Sequence, residues 1–188
     1  MDNRERILDC ALGLFSARGY DAVGIQEVVD QAGVTKPTLY HYFASKRGLL
    51  NALLEVNYHP WLVEFERAAA YQGDLMMTLR QTAEISFRYA GAHPSFYRMQ
   101  LAMQFAPPKS EPFQAVQPFV LQQQTWMENT FAAAVVQHGN MRGRQRIYAA
   151  TWIGAINTYN ALALGGYAVL DDQAVYRAVH QFMHGILS

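Results

Sequence analysis

Apolar residues recur along this chain at the spacings of helix faces, and no stretch alternates with the period of a strand. Ile7, Leu8, Ala11, Leu14 and Phe15 line one face of a first helix from about Arg4 to Arg18, and Gly19 supplies the stop. Ile25, Val28 and Val29 face inward from a second, shorter helix that runs from about Gly24 to Ala32, and Gly33 stands where the chain must turn sharply. A third helix starts at once. Thr35 is its N-cap, Pro37 lies in the first turn where a missing N–H costs nothing, and Leu39 with Phe43 forms a buried i, i+4 pair. Ser45 then caps a fourth, longer helix carrying Leu49, Leu50, Leu53 and Leu54.

The rest of the chain is punctuated at Gly73, at Gly91 with Pro94, at Pro107-Pro108, at Gly139-Asn140 and at Gly165-Gly166. These breaks divide residues 45–188 into about six helices, so about nine in all, and the fold class is all-α. The pattern separates a three-helix N-terminal domain over 1–46 from a larger helical domain over 47–188.

Composition changes this picture little. The chain is 51% apolar, enough for a sizeable core. Ile147 to Leu170 carries no Asp, Glu, Lys or Arg and has the length of a membrane span, but Asn157, Thr158, Asn160 and the Gly165-Gly166 pair interrupt it. A helix buried by its own domain and a partner is the expectation, with no membrane. Asp2, Arg4, Glu5, Arg6 and Asp9 break any secretory apolar run at the start, and the single Cys10 excludes a disulfide within one chain. A reducing, cytoplasmic home follows as an expectation.

Two short helices joined by a glycine turn and braced by another make a helix-turn-helix. With Leu39 and Phe43 committed to the core, the third helix turns Lys36, Thr38, His41 and Tyr42 outward, with Tyr40 near the edge. A cation, a hydroxyl and polar-tipped rings suit phosphate oxygens, base edges and thymine methyl groups. Lys46, at the start of the fourth helix, aims an ammonium and helix N–H groups at one phosphate. The formal net charge is zero, yet no acidic residue falls between Asp30 and Glu55, where Lys36, Lys46 and Arg47 lie. A local positive surface is compatible with a neutral whole. Tyrosine and threonine also serve as ordinary packing, and helical hairpins occur in folds that bind nothing, so pattern alone leaves DNA binding open.

The run Ala32-Gly33-Val34-Thr35-Lys36-Pro37-Thr38-Leu39-Tyr40-His41-Tyr42-Phe43-Ala44-Ser45-Lys46, followed by Leu49-Leu50, closely resembles the signature of TetR-type regulators. Upstream, Ile7, Ala11, Phe15, Gly19 and Tyr20 fit as well. The resemblance implies an all-helical homodimer, usually a repressor, whose divergent C-terminal domain holds an effector and supplies the dimer interface. It carries DNA contacts onto Thr35, Lys36, Pro37, Thr38, Tyr40, His41, Tyr42 and Lys46. Three residues depart from the family pattern. Gly24 caps the second helix without a phosphate-touching hydroxyl, which leaves its place in the DNA-binding set resting on backbone alone. Arg47 stands where the family often has an acid and is expected to strengthen attraction to the DNA backbone. Gly48 falls where a capping-box Glu would sit and predicts a weak start to the fourth helix.

Methionines and aromatics are abundant in the larger domain. Most are core, but such walls also make adaptable apolar pockets, and Trp61, Phe65, Phe87, Met99, Met103, Trp126 and Met127, with Asn157 to orient a ligand, are the effector-binding candidates. The expected effector is a hydrophobic or aromatic small molecule. In the last two helices Trp152, Ile156 and Tyr159, then Val175, Val179, Phe182, Met183 and Ile186, form stripes expected at a homodimer seam. No phosphate-cradling loop and no complete metal set is legible, since His180 and His184 enclose Gln181 where a zincin has Glu. No cofactor, metal or catalytic residue is expected, and the chain reads as a non-enzyme. The expected partners are a double-stranded DNA operator, a second copy and a small-molecule effector; the competing class is a helical small-molecule carrier with vestigial DNA binding.

Overall fold

The computed structural model describes residues 2–185. Among them are nine α-helices: α1 (Asn3–Arg18), α2 (Ile25–Ala32), α3 (Lys36–Phe43), α4 (Lys46–Ala69), α5 (Leu75–Ala92), α6 (Pro94–Gln104), α7 (Glu111–Ala134), α8 (Gln145–Leu164) and α9 (Asp172–His184), with a 3-10 turn at Gly139–Met141. Helix starts are built as the sequence dictates. Asp2 accepts from the Glu5 N–H at 2.8 Å while Glu5 accepts from the Asp2 N–H at 3.1 Å, a reciprocal capping box. Asp74 and Asp171 cap α5 and α9 through the N–H groups of Met77 and Ala174. None of the helices in the described residues is long and apolar enough to cross a membrane.

The helices pack into two compact units. One comprises the residues up to His59 together with Ser95–Pro118, the other Pro60–Pro94 together with the residues from Phe119 on. The sequence boundary between 46 and 47 marks where α4 begins, whereas packing draws the first half of α4, nearly all of α6 and the first turns of α7 into the unit that holds α1–α3. The chain passes between the units three times, and each passage falls at a proline: Pro60 inside α4, Pro94 at the start of α6 and Pro118 inside α7. Proline has no N–H to give to the carbonyl four residues back, so α4 and α7 each lack a rung at the passage.

In the first unit, α1, α2 and α3 pack on one another around Ile7, Leu8, Ala11, Phe15, Val28, Val29, Leu39 and Phe43, joined by Leu49, Leu50, Leu53 and Leu54 of α4. In the second, α5 packs on α8 and α9. There the indole N–H of the buried Trp152 donates to the Thr82 hydroxyl at 3.1 Å, which satisfies a polar group that would otherwise be stranded in the core.

This packing corrects half of the expected dimer seam. Trp152, Ile156, Val175 and Val179 are buried within their own unit, so they are spent on the chain's own core. The outward stripe of α8 lies about one residue step around the helix, on Ile147, Thr151, Ala155, Thr158 and Leu162. Tyr159, Phe182 and Met183 are half-buried, and they border an open groove of about 740 Å³ together with that stripe, His138 and Met141. Ile186 lies outside the described residues.

Candidate nucleic-acid interface

The turn that presents α3 is set by Gly33, whose left-handed backbone (φ 63°, ψ 36°) closes α2 and allows the Val34 N–H to reach the Val29 carbonyl at 3.0 Å. Three residues separate α2 from α3. Thr35 opens α3: its hydroxyl lies 2.9 Å from that of Thr38 and 3.4 Å from the Thr38 N–H, a pairing that fixes both threonines at the helix start. Because Leu39 and Phe43 are buried one turn apart, the 3.6-residue period turns Lys36, Pro37, Tyr40, His41 and Tyr42 to solvent, where Tyr40 is 45% and Tyr42 42% exposed. Thr38 is half-buried at the edge of this face. His41 and Tyr42 meet edge to face at 5.3 Å, so the two rings brace each other.

Gly24 is exposed and caps α2 without a hydroxyl, as its sequence requires. Its own N–H is taken by the Glu27 carboxylate at 2.9 Å, and Glu27 also pairs with Arg18. The Gly24 N–H and Arg18 hold the Glu27 carboxyl below its ordinary range. Lys46 is half-buried, its ammonium 4.1 Å from the centre of the Tyr20 ring. Burial lowers its pKa from the ordinary lysine value, while Asp21, Glu111 and Glu27 pull in the opposite direction.

One expectation about the start of α4 is corrected. Arg47 is committed within the unit: Nη1 donates to the Glu111 backbone carbonyl at 2.6 Å and Nε to Asn51 Oδ1 at 3.0 Å. Ser45 caps the helix as the sequence calls for, Oγ accepting from the Gly48 N–H at 2.9 Å, while Gly48 has no side chain to complete a capping box. Sequence reasoning passed over Glu111 and noted Tyr20 only as a match to the family pattern; the two, 91 positions apart, are joined by a hydroxyl–carboxylate hydrogen bond of 2.5 Å. No local pattern signals a pairing at that separation.

The effector candidates fall in both units. Trp61, Phe65, Phe87, Trp126, Met127 and Asn157 lie in the second, Met99 and Met103 in the first. Trp61 and Phe65 have ring centres 4.9 Å apart, with Tyr89 5.9 Å from Trp61 and Trp126 6.4 Å from Phe65, a contiguous aromatic cluster. Phe87 instead meets Tyr159 at 5.8 Å, and Met127 is fully buried. Met99 and Met103 are buried on α6, which also carries Gln100, the acceptor of the buried Tyr58 hydroxyl at 2.6 Å.

Comparison with known proteins adds a family match for the N-terminal residues. Residues 7–53 match the family model described as bacterial regulatory proteins, tetR family. Over 98 residues, 52% of this chain, it is 33% identical to the HTH-type transcriptional activator FasR of Mycolicibacterium smegmatis, and the match covers 45% of FasR. The chain thus spans less than half the length of that relative. Solved structures are similar along nearly the whole chain. A putative fatty acid metabolism regulator of Clostridium perfringens superposes with a TM-score of 0.84 at 16% identity, covering 97% of this chain and 99% of that one. The transcriptional regulator FadR of Bacillus subtilis, solved in complex with stearoyl-CoA, superposes with a TM-score of 0.79 at 16% identity, covering 97% and 98%. At such identity the likeness shows the fold alone.

Proposed function

We propose, on the match of residues 7–53 to the tetR family of bacterial regulatory proteins, that the chain is a homodimeric transcription regulator that leaves its operator when a lipophilic small molecule binds. The observation that carries this reading is the division of α3: Leu39 and Phe43 buried, Lys36, Tyr40, His41 and Tyr42 in solvent, with Lys46 half-buried at the head of α4. A helix so divided enters a major groove with its polar face, and the lysines take phosphate oxygens. Paired α3 helices of a dimer then meet successive major grooves of a palindrome.

The dimer is assembled through the outward stripe of α8 and the adjacent part of α9, where Ile147 and Leu162 stand in solvent beside Tyr159, Phe182 and Met183. The effector carries an acyl chain. The Trp61–Phe65–Trp126 ring cluster is the apolar surface that would receive it, and the similar FadR of Bacillus subtilis was solved with stearoyl-CoA. Its mode is repression by occlusion of a promoter, although the FasR relative bears the name of an activator.

Stearoyl-CoA is the probe. It is expected to raise the melting temperature and to release a duplex from the upstream region of the chain's own gene over one concentration range, since a ligand that favours one state stabilises it by mass action. A rise in melting temperature with the duplex still bound contradicts coupling. No binding of any duplex by the parent chain contradicts the regulator reading itself.

A further inference from the structure

Lys46 and Arg47 open α4 as adjacent cations, and neither is free. Arg47 spends its guanidinium on the Glu111 carbonyl and on Asn51. Lys46 rests its ammonium on the Tyr20 ring, and the hydroxyl of that ring donates to the Glu111 carboxylate at 2.5 Å. Tyr20 is only 5% exposed and meets Phe15 edge to face at 5.3 Å, so the ring has little freedom of its own. Burial and the Glu111 hydrogen bond push its hydroxyl well above the ordinary phenol value, which keeps it a donor at any physiological pH. The first residue of α7 therefore holds both cations, one through its backbone and one through its side chain.

We propose that Glu111 is a positioning residue of the DNA-binding surface: its carboxylate fixes the Tyr20 ring, and the ring fixes the Lys46 ammonium at the head of α4. The inference rests on the DNA-binding reading and adds a residue that no helix-turn-helix pattern contains. A carboxylate close to a phosphate-binding lysine works against DNA by charge alone. Its value lies in geometry, because a lysine held in place loses less side-chain freedom when it meets a phosphate. The same contacts account for Arg47: an acid there would face the Glu111 carbonyl oxygen with no proton to offer. Since α7 continues past Pro118 into the unit that carries Trp126 and Met127, the residue that sets Lys46 sits on a helix shared with the effector candidates.

Charge and geometry predict opposite outcomes, so two substitutions separate them. The probe is a duplex enriched from a random pool by the parent chain, with affinity read by fluorescence anisotropy. Glu111→Ala removes the acceptor and is expected to weaken binding about five- to tenfold, the scale of ordering one long side chain on binding. Glu111→Gln keeps an acceptor for the Tyr20 hydroxyl, removes the charge, and is expected to bind as tightly as the parent or tighter. In a Lys46→Ala background Glu111→Ala is expected to cost nothing further, because its effect passes through that lysine. Tyr20→Phe keeps the ring and removes the donor, so it stands in for Glu111→Ala should the latter not fold. Glu111→Ala binding at least as tightly as the parent, or an undiminished loss in the Lys46→Ala background, overturns the proposal. Lys36→Ala is the control. If the parent enriches no duplex, or if Lys36→Ala too leaves binding unchanged, the reading of α3 as the DNA-contacting helix has failed; if Lys36→Ala weakens binding while Glu111→Ala and Tyr20→Phe do not, only the role of Glu111 has.

Discussion

The carbonyl oxygen of Phe43 lies 1.9 Å from the point where a Cβ on Gly48 would stand. The chain reverses between α3 and α4 in two residues, with Ala44 held at φ 61°, ψ −32°, and the reversal presses the last carbonyl of α3 onto the first turn of α4. Glycine at 48 is thus a steric requirement of the joint that orients α3. Gly48→Ala is expected to cost about 2–3 kcal/mol, the scale of overpacking against an atom that cannot move aside. In a chain of this size that is a fall of roughly 5–10 °C in melting temperature. Ala44→Gly is expected to stabilise by about 1 kcal/mol, since it relieves an L-residue at positive φ. Thermal melts followed by circular dichroism check both, and a neutral Gly48→Ala contradicts the steric account.

The seam between protomers is expected to follow the outward stripe of α8 and to spare its inner one. Leu162→Asp, at a position 44% exposed, is expected to give a folded monomer with an unchanged helical signal. Ile156→Asp, at a position 2% exposed, buries a lone carboxylate in the core and is expected to unfold the chain, at a cost of about 3–5 kcal/mol. Sedimentation velocity with circular dichroism distinguishes a folded monomer from a melted chain. A Leu162→Asp dimer as tight as the parent places the seam elsewhere.

Pro60 and Pro118 each remove one rung from a long helix where the chain passes between units. Replacing either with alanine is expected to restore a rung and to slow amide exchange in the turn around it by tenfold or more, a change of about 1.4 kcal/mol in opening free energy. Exchange measured by mass spectrometry over residues 54–66 and 112–124 checks this. Unchanged exchange shows that neither proline is a weak point.

The start of α2 is expected to respond to acid. Glu27, held below its ordinary range by the Gly24 N–H and Arg18, has a lower pKa folded than unfolded, so it stabilises above the unfolded carboxyl value, and that contribution fades as pH falls through the folded value. Glu27→Gln is expected to leave α2 less protected than the parent at neutral pH and equal to it in strong acid. Amide exchange of residues 25–29 against pH reads the difference. Parallel profiles at every pH contradict the role of the charge.

Local order was legible because it is encoded locally. Gly33, Thr35 with Pro37, and Ser45 mark the joints of the N-terminal helices, and each stands in the structure at the place its chemistry demands. The later breaks at Gly73, Pro107-Pro108, Gly139 and Gly165-Gly166 fall between helices for the same reason. The faces of α8 were harder to read, because the helix is apolar nearly all round. Periodicity shows Trp152 and Ile156 on a stripe but not whether that stripe meets the chain's own α5 or a partner, and the outward stripe is disguised by Thr151, Ala155 and Thr158. Gly48 read as a missing cap because the carbonyl pressed on it belongs to the preceding helix, a contact with no sequence signature. The Tyr20–Glu111 bond was invisible for a plainer reason: contacts between residues so far apart are made by the fold, and a single sequence records only their ends.

The central claim, that α3 enters the major groove of DNA as one of a symmetric pair, is tested most directly by hydroxyl-radical footprinting on a duplex enriched from a random pool by the parent chain. The account predicts two protected segments related by a dyad and centred about one helical turn apart, roughly 34–36 Å, with both weakened in Lys36→Ala and Tyr42→Ala. A single unpaired footprint, or a footprint that both variants reproduce at the parent's concentration, would contradict it.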